Sequence, residues 1–290
     1  MNITIDPYLF DNLLKAAFRE DLGFDINQTV FAGDITTKAI FDENTQVKSV
    51  IKAKENGILS GASIIEPTFN YFGNNCDISV LKSDGERLEN GAIIAEISGK
   101  IHTILAAERI VLNFLQRLSG IATATNNLAQ KISHTKAKVI DTRKTTPSLR
   151  FLEKQAVVHG GGQNHRFGLY DMILIKDTHV AAAGGPDIAV KKAKEKYPRE
   201  KIEVEVQNLR EFEKALSANP DRIMLDNMSV ADMKNAVNIK NERALNIEIE
   251  ASGNVNENTI AQIAEAGVDF ISVGAITHSV KSLDIHLQIL

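Results

Sequence analysis

The chain has 290 residues, 43% hydrophobic and 24% charged, with a formal net charge of −4. That length and apolar content support a buried core divided over two domains and argue against disorder. The mild acidic balance argues against non-specific nucleic-acid binding, which needs an extended basic face.

No apolar run approaches the length of a membrane helix. The N-terminal stretch is acidic and lacks the basic start of a signal peptide, so a cytoplasmic chain is expected. The sequons at Asn27 and Asn227 then carry no weight. A single cysteine, Cys76, excludes an intramolecular disulfide framework; a buried small hydrophobe is its expected role.

In chain order, residues 6–22 read as an amphipathic helix with Leu9, Leu13, Leu14 and Ala17 at helical spacing. GDITT (33–37) reads as a turn, its glycine free in φ and its aspartate able to accept from nearby amides. Strand-like pieces follow at 46–54, 57–61, 78–82 and 92–99, the last two joined by the turn-rich KSDGERLENG. From Ile104 to about Ala129 a long helix puts Ile104, Ala107, Val111, Leu115 and Leu118 on one apolar face. Arg109, Asn113 and Gln116 share a different stripe of it.

Beyond residue 137 short apolar strands alternate with helices. The strands are expected at 138–142, 171–177, 202–206, 222–227, 246–252 and 270–275. The helices are DIAVKKAKEKY, LREFEKALS, SVADMKNAVNI and ENTIAQIAEAG, with Ser229 and Asp232 as a candidate capping box. Repeated strand–helix units imply right-handed crossovers and a parallel sheet. Six recognisable units fall short of a standard eight-stranded barrel. A partial or irregular (β/α) barrel is expected, with a doubly wound sheet as competitor.

Residues 141–179 form a basic island. Arg143, Lys144, Arg150, Lys154, Arg166 and Lys176 outweigh Asp141, Glu153, Asp171 and Asp177 by two charges, inside a chain that is net acidic. Such an island concentrates field on a local anion rather than a long polyanion. In parallel α/β folds ligands meet the carboxyl ends of the strands. Here those ends carry Arg143 and Lys144, Lys176, Glu205, Asp226, Ser252-Gly253-Asn254 and Val273-Gly274-Ala275 in turn.

Glu205 and Asp226 suit Mg²⁺ or ribose hydroxyls, the glycine turns a phosphate, and arginines a planar carboxylate. A ligand set bearing both phosphate and carboxylate is expected. HGGGQNHR (159–166) allows close backbone approach to an anion, or is a flexible loop. No G-x-x-x-x-G-K-[ST], G-x-G-x-x-G or G-x-S-x-G motif is present.

The segment DTRKTTPSLRFLEKQAVVHGGGQNHRFGLYDMILIKDTH resembles the signature region of quinolinate phosphoribosyltransferases. GDITT, AAERIVLNFLQRLSGIAT, VEVQN, IMLDNM, EASGNV and ISVGAITHS are similar to that family in the same order, so the resemblance spans the chain. KDTH departs from the family's common KDNH, and SGN from its common SGG. Lys176 is expected to matter, and Thr178 and Asn254 to be tolerated.

The resemblance implies an N-terminal α/β sandwich domain over 1–110, to which 278–290 return. It also implies an open α/β barrel of the type II phosphoribosyltransferase kind over 111–277. The implied reaction joins quinolinate to 5-phosphoribosyl-1-diphosphate (PRPP), releasing pyrophosphate and CO₂ and giving nicotinate mononucleotide. Thr142, Arg143, Lys144, Arg166 and Lys176 are then expected in the anion site, and Glu205 and Asp226 at ribose and Mg²⁺. Ser252, Gly253, Asn254, Val273, Gly274 and Ala275 are expected at the 5-phosphate. Lys144, Lys176, Glu205 and Asp226 are the expected catalytic set. His165 either orients a carboxylate or holds its loop, and Arg109 is implied to cross a homodimer interface into the partner's site.

Three rival readings remain: a related phosphoribosyltransferase acting on another ring acid, a barrel lyase using Lys176 as a Schiff-base nucleophile, and a non-catalytic phosphate-binding barrel. The last leaves Glu205 and Asp226 without a purpose.

Overall fold

The computed structural model describes residues 6–23, 33–73 and 75–290; Asn27 lies outside them. The chain forms two compact units, one of Met1–Ala124, Thr146–Gly161 and Val280–Leu290, the other of Thr125–Thr145 and Gly162–Ser279.

In the first unit, α1 (Pro7–Leu22) begins where the Asp6 carboxylate accepts from Tyr8 N and Leu9 N. Its buried stripe is Phe10, Leu14 and Phe18; of the expected face only Leu14 is buried, and Leu9 is exposed. The aromatic rings set the rotation: Phe18 stacks on Tyr71 with ring centroids 4.8 Å apart. GDITT is more than a turn. Asp34 accepts from Thr36 N at 2.9 Å and Thr37 N at 3.1 Å and starts α2 (Ile35–Ile40).

The strands β1 (Gln46–Ala53), β2 (Gly57–Ile58), β3 (Cys76–Val80), β4 (Arg87–Leu88) and β5 (Ile93–Lys100) follow, with α3 (Ile65–Phe69) between β2 and β3. The C-terminal strand Ile285–Ile289, β1, β5 and β3 pair antiparallel in that order, and β2 pairs with β4. The C-terminal strand and β4 were missed by periodicity; β4 is two residues long, inside the turn-rich KSDGERLENG.

Helix α4 (Ile101–Lys131) buries Ile104, Ala107, Val111, Leu115 and Leu118, the expected face. Arg109 and Asn113 are exposed. Gln116 instead turns inward and its Nε2 donates to Ile285 O at 2.7 Å. The helix runs unbroken through residue 110, and the units divide at 124/125. Helix α5 (Arg150–His159) carries two of the island's cations, Arg150 and the fully buried Lys154. Gly160 and Gly161 terminate α5, Gly161 at φ 87°, so the glycine run begins as a helix end.

The second unit contains β6 (Lys138–Ile140), β7 (Ile173–Ile175), α6 (Asp177–Ala183), α7 (Pro186–Lys196), β8 (Ile202–Val206) and α8 (Leu209–Ser217). It continues with β9 (Arg222–Asp226), α9 (Val230–Glu242), β10 (Glu248–Ser252), α10 (Ile260–Glu265), β11 (Phe270–Ser272) and α11 (Ala275–His278). The six strands form one parallel sheet in the order β6-β11-β10-β9-β8-β7, with β6 and β7 at its two ends. Ser229 caps α9 as expected, accepting from Asp232 N at 3.1 Å.

Register and the two-residue strand period divide this sheet into two faces. One is apolar and buried: Val204, Val206, Ile223, Leu225, Ile249, Ala251, Ile271 and Val273. The other is charged. Glu205 aligns with Met224 and Glu250, and Asp226 with Ser252 and Ser272.

Candidate active site

The charged face opens on a cavity of about 590 Å³ lined by Thr142, Arg143, Lys144, His165, Arg166, Lys176, Glu205, Asp226 and Ser252, nine of the expected residues. One buried carboxylate brings its cationic arms together. Asp141, fully buried at the end of β6, accepts from His165 N at 2.9 Å and Asn164 Nδ2 at 2.6 Å. Gln163 meanwhile bridges Ile140 in parallel. The loop carrying His165 and Arg166 is thereby tied beside the loop carrying Arg143 and Lys144. Thr142 Oγ1 accepts from Lys144 N, and Thr277 Oγ1 donates to Lys144 O at 2.8 Å. The Asp171 carboxylate accepts from Phe167 N and Gly168 N and closes the turn after Arg166.

Arg166 Nη1 donates to Met172 O at 3.1 Å. Burial first, and Arg143 beside it, pull its guanidinium below the usual arginine range. Two cations lining one cavity suit an anion with more than one carboxylate. Across the cavity, burial and then Asp226 raise the Glu205 carboxyl above the usual range. Lys176 Nζ stands 3.9 Å from Glu205 Oε2.

A cation between Glu205 and Asp226 would relieve their repulsion. A pair of carboxylates on neighbouring strands suits Mg²⁺, which takes one or two such ligands and completes its shell with water and substrate phosphate.

The glycine turns sit at the ends of β10 and β11. Gly253 holds φ 94°, and a side chain there would come within 2.1 Å of Asn227 Oδ1. Asn254 follows at φ 54°. That left-handed conformation is one that asparagine and glycine tolerate, which explains why SGN can stand where SGG is common. A side chain at Gly274 would come within 3.1 Å of Lys144 Cδ. Val273 is buried in the ladder and Ala275 is exposed at the start of α11. Gly253, Asn254, Val273, Gly274 and Ala275 border the strand ends without lining the cavity, and Arg109 belongs to the first unit.

Sequence reasoning passed over the cluster beneath. Glu203 and Glu250 are fully buried and Arg222 nearly so. Arg222 Nη1 donates to Glu250 Oε2 and its Nε and Nη2 to Glu248 Oε2, at 2.9–3.1 Å. Its guanidinium also lies 4.0 Å from the Phe270 ring centroid. Burial, against the pull of Arg222, raises the Glu203 carboxyl to about 7; burial and then Glu203 raise Glu250 to about 7. The available signal was the alternation in IEVEV and IEIEA, which places two acids per strand on one face.

An α/β barrel that turns a charged strand face toward one cavity, with cations from the loops around β6 and β7 and carboxylates from β8 and β9, is built for a small, multiply anionic substrate; phosphoribosyltransferases are such a class. Comparison narrows it. The model for "Quinolinate phosphoribosyl transferase, C-terminal domain" matches residues 121–288, and that for the N-terminal domain residues 34–119. The chain is 42% identical to a probable carboxylating nicotinate-nucleotide pyrophosphorylase of Bacillus subtilis, covering 96% of this chain and 92% of that one. A Methanocaldococcus jannaschii protein of the same description is 43% identical, with 96% of each covered. The solved nicotinate-nucleotide pyrophosphorylase of Francisella tularensis superposes with a TM-score of 0.91 at 41% identity, over 99% of this chain and 98% of that one. The chain belongs to the quinolinate phosphoribosyltransferase family.

Proposed function

We propose that this chain joins quinolinate to PRPP with loss of CO₂, giving nicotinate mononucleotide for NAD synthesis. The observation that carries the reading is the pairing, in one cavity, of the crowded cations Arg143 and Arg166 with the crowded carboxylates Glu205 and Asp226. Quinolinate carries adjacent carboxylates, and Arg143, Lys144, Arg166 and Lys176 would bind and orient them.

The ring nitrogen attacks C1′ of PRPP, the N–C1′ bond forms, and the C1′–O bond to pyrophosphate breaks. Positive charge develops at C1′, where Glu205 and Asp226 temper it. These two carboxylates would hold Mg²⁺, which would neutralise diphosphate charge. Ser252, Gly253, Asn254 and Gly274 receive the 5-phosphate at the ends of β10 and β11. Once ribosylated, the cationic ring accommodates the electron pair left when CO₂ departs from C2, and a proton replaces it there.

Lys176 lies on the exposed rim, whereas a Schiff-base lysine is activated in a dry pocket or beside another cation. A lyase is therefore the weaker reading. Among the described residues no helix is long and apolar enough to cross a membrane, and a chain with one buried cysteine suits the reducing cytoplasm. The purified protein, given quinolinate, PRPP and Mg²⁺, should release CO₂ and pyrophosphate in equal amounts and ignore nicotinate. Turnover of nicotinate instead, or borohydride trapping of substrate on Lys176, would overturn this reading.

We infer further that the protein acts as a homodimer in which the exposed Arg109 serves the partner's cavity. Chains bearing Arg109→Ala and chains bearing Lys144→Ala, each nearly inactive alone, should regain about a quarter of wild-type activity when mixed in equal amounts, since half of the dimers are then mixed and each mixed dimer holds one intact site of two. Absence of rescue in confirmed heterodimers would sink the shared site.

A further inference from the structure

The reaction as described leaves one group of the cavity floor unused: His165 with Glu203 and Glu250. His165 Nε2 stands 3.1 Å from Glu203 Oε2 and 3.6 Å from Glu250 Oε2. Its Nδ1 accepts from Arg166 N at 2.7 Å. That bond assigns the tautomer: with the Nδ1 lone pair engaged, the neutral ring carries its proton on Nε2, close beside the acids though not aligned for a hydrogen bond with either.

The three residues lie close enough to hold a metal, with ligand atoms within 4.8 Å of one another. This tautomer leaves no lone pair on Nε2 for a metal, however, and Arg222 already places a cation on Glu250. The same assignment removes His165 from proton transfer with substrate, because neither ring nitrogen is left to accept or deliver a proton there.

We propose that His165, Glu203 and Glu250 form a positioning strut for Arg166, fixing the main chain that aims its guanidinium at the quinolinate carboxylates. Arg222 anchors the strut from below through Glu250, and Asp141 fixes it from the side through His165 N. Glu203 also contributes charge opposite Arg166, offsetting the repulsion from Arg143. The group acts through Arg166 and touches no reacting atom, so these are positioning residues. The inference rests on the reading of the cavity as a quinolinate site.

Two substitutions each keep one half of the strut. His165→Asn places an acceptor near the Nδ1 position but falls short of the acids. His165→Gln places a donor near the Nε2 position but offers Arg166 N no acceptor. Each should weaken quinolinate, in calorimetric binding and in KM, about tenfold or more, as loss of supporting contacts commonly does. PRPP affinity should hold. Glu250→Ala should do the same, and if it fails to fold the two His165 variants carry the test.

Added to Arg166→Ala, either His165 variant should cost nothing more, since a strut without its load is idle. Additive losses, equal losses toward both substrates, or unchanged quinolinate binding in folded variants would overturn the strut. A wild-type protein that does not bind quinolinate overturns the functional reading along with it. Wild-type binding matched by all variants overturns the strut alone.

Discussion

Arg166→Ala is expected to lower kcat/KM for quinolinate by roughly 30- to 4000-fold, the equivalent of about 2–5 kcal/mol for removing one partner of a desolvated charge pair. Burial and then Arg143 disfavour the Arg166 charge, a repulsion that a dicarboxylate bound between the two cations would offset. Removing the guanidinium removes that complementarity and relieves the repulsion together. The fold should therefore lose little, about 1 kcal/mol for the bond to Met172 O. Arg166→Lys keeps a charge but not the planar fork, and should fall between wild type and alanine. Steady-state release of CO₂, with thermal unfolding as control, measures all three. Near-normal kcat/KM in a folded Arg166→Ala protein would remove Arg166 from the site.

The parts of this site that sequence revealed were those at strand ends. Lys176, Glu205, Asp226 and Ser252 each terminate an apolar run, and in a parallel sheet such positions share one rim. The parallel sheet also followed from the alternation of apolar runs and amphipathic helices. Charge counted along the chain was less reliable. The basic island divides: Arg143, Lys144, Arg166 and Lys176 line the cavity, while Arg150 and Lys154 leave on α5, where Lys154 is buried. A linear sum cannot see that a helix intervenes.

Glu203 and Glu250 were harder still, because a charged residue inside a strand reads as a solvated face. Only the pairing of β8 and β10 to either side of β9 shows that both acids point into one interior with Arg222 between. In α1 the helix was legible but its rotation was not. Leucine spacing favoured one stripe, and the larger area buried by Phe10 and Phe18 selected another.

Asp226→Asn should separate the two halves of the cavity. Asp226 is the second cause, after burial, of the raised Glu205 carboxyl, so its neutralisation should lower the Glu205 pKa relative to wild type. The sign is fixed by like charge: with Asp226 ionised, placing a second negative charge on Glu205 is disfavoured, and with asparagine that cost disappears. A carbon-13 carboxyl titration of Glu205 reads this directly, with no metal or substrate present. Mg²⁺ should behave oppositely. Glu205 ionises more readily in the variant, yet a divalent ion loses one of its two carboxylates, and net affinity should fall about 10- to 100-fold.

Calorimetry of PRPP binding at graded Mg²⁺ should then show the half-saturating concentration rising by that factor. Quinolinate binding, which depends on Arg143 and Arg166, should stay near wild type. A Glu205 pKa that does not fall would refute the electrostatic coupling of the two acids. A lowered pKa with unchanged Mg²⁺ dependence would retain the coupling and place the metal elsewhere, leaving Glu205 and Asp226 to the ribose.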